Sequence, residues 1–194
     1  ASSEELGRRL AINPEQIRKD LAFFGQFGKK GVGYYVAELK ESIGNILGLD
    51  HHWSVAIIGM GHLGAALANY QGIARLGFRL AAIFDANPTV IGTRIGEHRV
   101  EDIADLAEII AERAIQIGVI AVPAEAAQSI ADRLVAAGIR GIWNFAPVKL
   151  QVPPGIAFVS EDLSVGLSSL SYYLTHMTGD EDRLSEKNKE SLIK

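Results

Sequence analysis

A glycine-rich run near the middle of the chain has the residue types and spacing of a loop that binds phosphate groups. The run Gly59-Met60-Gly61-His62-Leu63-Gly64 has the pattern GxGxxG. It follows an apolar stretch predicted to be a strand, 53–58, and precedes an alanine-rich stretch predicted to be a helix, 65–75. In such a unit the first glycine permits a tight turn, the second lets the backbone approach a pyrophosphate, and the third lets helix and strand pack closely. The run therefore predicts a dinucleotide-binding loop with all six residues at the ligand.

An acidic residue stands where a carboxylate that binds ribose is expected. Asp85 ends a second predicted strand, 79–84, and follows Gly64 by 21 residues. A carboxylate at about 20 residues beyond the glycines accepts hydrogen bonds from ribose hydroxyls and repels a 2′-phosphate. Asp85 therefore favours NAD over NADP, although a helix cap or a turn also explains an aspartate after a strand.

Strands and helices continue to alternate after Asp85, which is typical of a doubly wound parallel α/β sheet. Strands are predicted at 115–122, 141–144 and 156–159, with a helix at 124–137. Ligands bind such sheets beyond the carboxyl ends of the strands. The residues at these ends that can border a cofactor are Val122, Pro123, Asn144, Phe145 and Ala146. A proline after a strand is also a common turn residue.

The N-terminal third predicts two short helices joined by a few residues. The first covers 4–10, and the second begins at Asn13-Pro14, with Gln16 completing a start that resembles a capping box, and ends before Gly25. The apolar residues of the second helix share one face. The other face carries Gln16, Arg18, Lys19 and Phe23. Since such side chains reach base edges and phosphates in the major groove, the pair predicts a helix-turn-helix.

Residues 27–36 predict a β-hairpin whose glycine-bounded tip carries Lys29 and Lys30. A basic hairpin directly after a recognition helix is the arrangement of a winged helix. An ordinary solvated helix and a lysine-bearing surface turn explain the same residues. The hairpin favours DNA binding, and a further helix, 36–47, is predicted to link this region to the sheet.

Composition limits the classes of protein that the chain can belong to. Its 194 residues are 48% hydrophobic and 22% charged, which excludes disorder of the whole chain. The absence of cysteine excludes disulfides, zinc fingers, iron–sulfur clusters and thiol redox chemistry. A net charge of −4 argues against bulk electrostatic coating of nucleic acid. Because no apolar run is long enough for a membrane span and no signal peptide is visible, we expect a cytoplasmic protein without membrane contact. We also expect neither a metal site nor a catalytic residue.

The C-terminal region predicts one more amphipathic helix and a polar tail. The helix begins at Asp162, and its leucine stripe either covers its own sheet or packs against a second subunit. The predicted segments are a DNA-binding domain with a linker helix, a dinucleotide-binding domain, a dimerisation helix and a mobile tail. Their limits are 1–50, 51–160, 161–178 and 179–194.

Taken together, these motifs resemble the Rex family of bacterial redox-sensing transcriptional repressors, and the resemblance covers nearly the whole chain. Its most specific stretches are Gln16-Ile17-Arg18-Lys19-Asp20-Leu21, Phe24-Gly25, Gly31-Val32-Gly33-Tyr34, Gly59-Met60-Gly61-His62-Leu63-Gly64 and Asn144-Phe145-Ala146-Pro147. The resemblance implies a homodimer that binds a palindromic double-stranded operator and releases it when NADH, rather than NAD⁺, occupies the dinucleotide domain.

The resemblance also implies roles for particular residues. Gln16, Arg18 and Lys19 would lie on the recognition helix, and Lys29 and Lys30 on a wing that reaches the minor groove. Tyr70 and Asp162 would couple the cofactor to the DNA-binding domain, and the C-terminal helix would be exchanged between subunits. The chain departs from the family pattern in two places. The family's first helix would precede Ala1, which implies a truncated winged helix with weak DNA binding, and Leu163 replaces an aromatic residue near the nicotinamide.

Two other classes share the glycine loop. A small NAD-dependent oxidoreductase needs an acid or base and a substrate domain, for which about 35 residues after the sheet are too few. A CoA-binding Rossmann domain of the succinyl-CoA synthetase type shares the sheet, but it gives no reason for the winged helix or for Asp85.

Overall fold

The computed structural model describes residues 1–29, 31–49 and 51–176. The chain divides into two units, Ala1–Trp53 with Gln71–Arg79, and Ser54–Tyr70 with the chain from Leu80 onward. The four segment limits predicted from the sequence remain predictions, and the predicted tail, 179–194, lies outside the described residues. The predicted α/β class, with a Rossmann sheet and an N-terminal winged helix, is confirmed.

The first unit begins with the predicted helix pair. Its helices before the sheet are α1 (Ser3–Leu10), α2 (Pro14–Phe24) and α3 (Val36–Ile46). Ser2 caps α1 because its hydroxyl accepts from the N–H of Glu5 at 3.1 Å. Asn13 caps α2 in the same way, with its Oδ1 2.8 Å from the N–H of Glu15. The caps explain why α2 begins at the predicted position and α1 begins one residue before its predicted start.

The capping box predicted at the start of α2 is wrong in its second half. The side chain of Gln16 does not return to the backbone of Asn13 but donates from Nε2 to Oδ1 of Asp20 at 2.6 Å. Asp20 lies one turn further along the same side of the helix, and an ionised carboxylate is a stronger acceptor than a neutral group.

The predicted hairpin at 27–36 is present only as a tight turn. Lys29 and Gly33 exchange two backbone hydrogen bonds of 2.9 and 3.0 Å, and they form an isolated bridge rather than two regular strands. Tyr34 in turn exchanges backbone hydrogen bonds with Ala1. Positive φ angles at three glycines of the segment interrupt the extended backbone that strands require. Lys30 lies outside the described residues.

The second unit contains most of a seven-stranded sheet. The strands are β1 (Trp53–Ile58), β2 (Phe78–Asp85), β3 (Arg94–Ile95), β4 (His98–Asp102), β5 (Ile117–Ile120), β6 (Gly141–Asn144) and β7 (Ala157–Ser160). They follow the order β3-β4-β2-β1-β5-β6-β7. The pairs β1–β5, β2–β4, β5–β6 and β6–β7 are parallel, and β3 is antiparallel to β4. Without β3, this is the strand order of a dinucleotide-binding sheet.

The helices that follow β1 differ from the prediction, since one predicted helix is divided and one helix, 106–112, was not predicted. They are α4 (His62–Ala68), α5 (Gln71–Arg75), α6 (Leu106–Glu112) and α7 (Ala124–Ala136), and residues 164–176 are also helical. The single helix predicted at 65–75 is wrong, because it is divided between α4 and α5. Asn69 donates from its side chain to the carbonyl of Ala65 at 2.8 Å, and this local hydrogen bond competes with continuation of the helix.

The core of the second unit consists of apolar side chains from the strands and from α6 and α7. Phe84, Ile120 and Leu134 are fully buried within it. Leu134 of α7 packs directly over Gly118 of β5, where a Cβ atom would lie 2.7 Å from Leu134 Cδ1. This close packing holds the strand ends that form the candidate site.

Candidate dinucleotide site and DNA-binding surface

The three glycines of the GxGxxG run have different surroundings. Gly59 has a φ of 98°, and a Cβ atom there would lie 2.6 Å from the carbonyl oxygen of Ala121. At Gly64 a Cβ atom would collide with the carbonyl oxygen of Gly59. At Gly61, by contrast, a Cβ atom would meet no heavy atom within 4 Å. The first and third glycines are therefore required by packing, whereas the second leaves open space that a ligand can fill.

Asp85 holds the glycine loop in place from the neighbouring strand. Its Oδ2 accepts from the N–H of Met60 at 2.6 Å, and its Oδ1 accepts from the N–H of Asn87 at 2.7 Å. An ionised carboxylate offers about four lone-pair positions, so each oxygen can accept another hydrogen bond. The carboxylate therefore fits the ribose role while it also organises the loop.

The strand ends named from the sequence meet at one edge of the sheet. A Cβ atom on Gly59 would lie 2.8 Å from Cγ1 of Val122, so the loops after β1 and β5 touch. The N–H of Phe145 donates to the carbonyl of Ile120 at 2.9 Å, which places the loop after β6 beside them. The strand order reverses between β2-β1 and β1-β5, and ligands of such sheets bind at this reversal.

Asn144 is buried completely and has no free hydrogen-bonding group on its side chain. Its Nδ2 lies 3.0 to 3.1 Å from the carbonyl oxygens of Ala146 and Val148 and from Oγ of Ser160. Its Oδ1 accepts from the N–H of Ala146 at 3.0 Å. The side chain of Asn144 thus shapes the loop after β6, and its predicted cofactor contact stays a prediction.

The other predicted cofactor residues differ in exposure. The side chains of Met60 and Ala146 are buried, so these residues can offer a ligand only their backbone. His62 and Pro123 are exposed, and Leu63 is half-buried. Within the ranges that the structure describes, no group of three or more His, Asp or Glu side chains could hold a metal ion.

On the first unit, α2 presents the predicted DNA-binding residues. The ring of Phe23 is 85% exposed and stands edge-on to Phe24, with 5.2 Å between the ring centroids. Lys19 forms an exposed ion pair with Glu15, at 3.1 Å. The structure therefore places Gln16, Lys19 and Phe23 on the solvent side of α2, opposite the buried Ile17.

Arg18 and Lys29 lie beside the same cleft of the first unit. The cleft has a volume of about 430 Å³ and is bordered by the start of α1, by α2 and by the turn at 29–33. Nη1 of Arg18 donates to Oγ of Ser3 at 2.8 Å and lies 3.4 Å from Oε1 of Glu4. Nζ of Lys29 lies 5.6 Å from the ring centroid of Tyr35, within the range of a cation–π contact.

The two predicted coupling residues are exposed. Tyr70 lies between α4 and α5 and is 64% exposed. Asp162 precedes the helical residues 164–176, and its Oδ1 accepts from both the N–H and the hydroxyl of Ser164. The hydrogen bonds from the hydroxyl and then the N–H of Ser164 lower the pKa of Asp162 below its usual 3.8. A coupling role for either residue remains a prediction.

Residues 164–176 form a helix that nothing in the described part of the chain covers. Every residue of this helix is exposed, including leucines that are 58 to 71% exposed and two adjacent tyrosines. The predicted leucine stripe therefore does not cover its own sheet here. Residues 177 and 178 of the predicted dimerisation helix, 161–178, lie outside the described residues.

Three residues of the site region were not expected from the sequence. Ser3 and Glu4 contact Arg18, and Ser160 contacts Asn144. Each contact joins residues at least 14 positions apart, so no local spacing signals it.

The geometry defines a class of protein in which a Rossmann sheet with a glycine loop accompanies a winged-helix unit. Comparisons with known proteins support this assignment. Residues 50–148 match the family model described as CoA binding domain. The redox-sensing transcriptional repressor Rex of Roseiflexus sp. strain RS-1 is 49% identical over 173 residues, which cover 89% of this chain and 79% of that protein. Rex of Chloroflexus aurantiacus is also 49% identical, over 89% of this chain and 82% of its own length.

Solved structures give the same result. A Rex-family repressor, RSP, crystallised with β-NAD⁺ and operator DNA, matches with a TM-score of 0.87 and 42% identity over 94% of this chain and 84% of its own. RSP in complex with β-NADH matches with a TM-score of 0.81 and 40% identity over 94% of this chain and 85% of its own. The chain belongs to the Rex family of redox-sensing transcriptional repressors, and its residues 50–148 belong to the CoA binding domain family. No helix in the described residues is long and apolar enough to span a membrane.

Proposed function

We propose that this chain is a dimeric repressor that binds operator DNA through its helical unit and releases the DNA when NADH occupies the glycine loop. The observation that carries the cofactor half of this proposal is the open space at Gly61 beside a carboxylate with acceptor positions to spare. Membership of the Rex family supports the DNA half.

Different residues of the chain contact different parts of the dinucleotide. The backbone from Gly59 to Gly64 accommodates the pyrophosphate, and Asp85 accepts from the ribose hydroxyls. When bound, the nicotinamide supplies a difference in charge, since its oxidised form is a cation and its reduced form is neutral. Val122 and Phe145 offer an apolar border at the same edge of the sheet, and an apolar border penalises the buried charge of the oxidised form. No catalytic step is required of any residue.

On the DNA side, we assign two kinds of contact. Gln16 and Phe23 can read base edges, because an amide pairs with adenine and a ring contacts the methyl group of thymine. Arg18, Lys19 and Lys29 supply positive charge for phosphates, and Arg18 can also bind guanine with two hydrogen bonds. The same contribution is proposed for Lys30 from its position in the sequence.

We assign the dimer interface to the terminal helix. Residues 164–176 carry an apolar stripe that is exposed along its full length, and a second copy of the chain would bury it. Asp162 precedes this helix, so a change in the site at the strand ends can reach the partner subunit through it. Tyr70 is assigned to the same coupling. By linkage, DNA must weaken NADH binding by the factor by which NADH weakens DNA binding.

The test compares two glycine substitutions at positions with equal space. Gly61→Ala adds a methyl group where the pyrophosphate would approach, and Gly44→Ala adds one on α3, where a Cβ atom also meets nothing within 4 Å. We expect calorimetry to show NADH affinity reduced by about 100-fold for Gly61→Ala, or about 2.7 kcal/mol, and unchanged for Gly44→Ala. In a DNA-binding assay, the Gly61→Ala protein should keep its DNA when NADH is added. Equal NADH affinities for the two variants would contradict the proposed site.

A further inference from the structure

Arg18, one of the proposed DNA contacts, is held by two residues from the start of α1. Its Nη1 donates to Oγ of Ser3 at 2.8 Å and lies 3.4 Å from Oε1 of Glu4. Ser3 is buried, whereas the side chains of Arg18 and Glu4 are 52% and 68% exposed. One end of the contact is therefore anchored inside the unit and the other end remains open to solvent.

The two contacts leave most of the guanidinium available. Both involve Nη1, so the N–H groups of Nε and Nη2 remain for another partner. Anchoring one nitrogen of a planar guanidinium restricts the directions in which the other two can point, and less conformational entropy is lost when they bind. The cleft beside Arg18 also contains Lys29, so a phosphate that enters it meets two cations.

Glu4 brings a negative charge to the same cleft. Its own backbone N–H, the hydroxyl of Ser2 and the charge of Arg18 lower the pKa of Glu4, so the carboxylate is ionised at neutral pH. Because Oε1 of Glu4 lies 3.4 Å from Nη1 of Arg18, it cancels part of the positive charge that the guanidinium offers to phosphates, which weakens binding to any sequence alike.

Resting on the proposed DNA-binding function, we propose that Ser3 and Glu4 are positioning residues that act through Arg18. Ser3 orients the guanidinium and thereby increases selectivity for the operator. Glu4 partly neutralises the guanidinium and lowers affinity for all DNA, which favours release. Neither residue needs to touch a base.

The test uses the full chain and two duplexes. One carries the site that the wild-type chain selects from a random library of double-stranded DNA, and the other is a scrambled sequence of the same composition. We expect Ser3→Ala to lower the ratio of the two affinities by about fivefold, since a disordered arginine loses part of its base discrimination. Ser3→Thr keeps the hydroxyl, so the ratio of the two affinities should stay at its wild-type value. Thermal unfolding and NADH affinity of each variant report whether the fold is intact.

Glu4→Gln should have a different effect, raising affinity for both duplexes by about fivefold at low salt without changing their ratio. Glu5→Gln is the matched control, because it removes the same charge one residue further along α1, where Glu5 pairs with Arg9 at 2.9 Å. We expect it to change affinity by less than about twofold.

The Arg18→Ala background separates action through Arg18 from a general effect of charge or helix stability. In that background, Ser3→Ala and Glu4→Gln should no longer change the affinity for either duplex. If Ser3→Ala and Glu4→Gln changed DNA affinity as much in the Arg18→Ala background as in the wild type, this inference would be overturned. Equal effects of Glu4→Gln and Glu5→Gln on the wild-type affinity would also overturn it, and neither result would contradict the repressor function. A wild-type chain that selects no site from the library would overturn the DNA-binding function as well.

Discussion

The two units of the chain bury their apolar side chains to very different extents. In the second unit the sheet has a continuous core in which Phe84, Ile120 and Leu134 are fully buried. Among the described residues of the first unit, Ile17 is the single buried apolar side chain. Since burial of apolar area is the main source of stability, the sheet can hold a precise ligand site, whereas the helical unit has little stability of its own.

This difference in burial fits the proposed functions of the two units, in which the sheet binds the dinucleotide and the helical unit binds DNA. A site that distinguishes the two forms of a nicotinamide must be held to within a fraction of an ångström, which requires a rigid support. A surface that binds and releases DNA can be less stable, because DNA itself supplies binding energy. The predictions below test this contrast, beginning with the largest expected effect.

The first prediction compares a core residue from each unit. Phe84→Ala should lower the free energy of unfolding by about 3–5 kcal/mol, because it leaves a cavity in a closely packed core. Ile17→Ala should cost about 2 kcal/mol, the lower end for such a change, since the sparse surroundings can collapse around the gap. Urea denaturation of both variants measures the difference. Equal costs would mean that the helical unit is as well packed as the sheet.

The second prediction concerns the loop after β6. Asn144→Ala removes the partner of the N–H of Ala146 and of the carbonyl of Val148, at a cost of about 2–3 kcal/mol. Ser160→Ala removes one hydroxyl that Asn144 contacts and should cost about 1 kcal/mol. The same denaturation experiment orders the two variants. The reverse order would show that the loop does not depend on Asn144.

The third prediction concerns the exposed end of the second unit. Asp162→Ala should fray the first turn of the terminal helix, about four residues, whereas Asp162→Asn should keep it, because an amide oxygen also caps helices. Far-UV circular dichroism measures the helix content. If Asp162→Asn keeps the helix but loses the NADH response, the residue acts through its charge, as the coupling role requires.

The acid dependence of this cap has a defined sign. Because hydrogen bonds from Ser164 lower the pKa of Asp162, its ionised form stabilises the folded chain above the usual value of 3.8. That contribution is lost as the pH falls below 3.8 and through the lowered pKa of the folded state. The free energy of unfolding of the wild type should therefore exceed that of Asp162→Asn at neutral pH, and the difference should disappear in that acidic window.

The smallest effect is expected on the surface of α2. Glu15 and Lys19 form an ion pair 3.1 Å apart, with side chains 63% and 69% exposed. Glu15→Gln should change the free energy of unfolding by less than about 0.5 kcal/mol, since water screens exposed pairs. A change above about 1 kcal/mol in urea denaturation would show that surface charge, rather than burial, supports the helical unit.

The elements with strong local patterns were predicted well, and the others were not. β1 has the predicted limits because its six residues are continuously apolar or small. β4, His98–Asp102, was missed since four of its five residues are polar, and its pairing with β2 buries only Val100. The break between α4 and α5 was missed because an asparagine after a run of alanines is compatible with a continuing helix.

In the candidate site, too, features with a local sequence pattern were predicted and features that depend on tertiary contacts were not. The GxGxxG run and Asp85 were found from spacing, because a strand, a tight turn and a helix N-terminus need glycines at fixed positions. Spacing does not show that Asp85 also accepts from the N–H of Met60, since that contact depends on how β2 lies beside β1. The single bridge of the wing was not predicted either, because φ angles at glycine are set by the packing around them.

By itself, the sequence determined the helix caps, most strands, the glycine loop and the basic face of α2. Each depends on residue types within a few positions of one another, where backbone geometry is nearly constant. Only the tertiary structure decided that Ser3 and Glu4 hold Arg18 and that Asn144 contacts Ser160. These pairs are at least 14 residues apart, and whether their polar atoms meet depends on the packing of whole helices and strands.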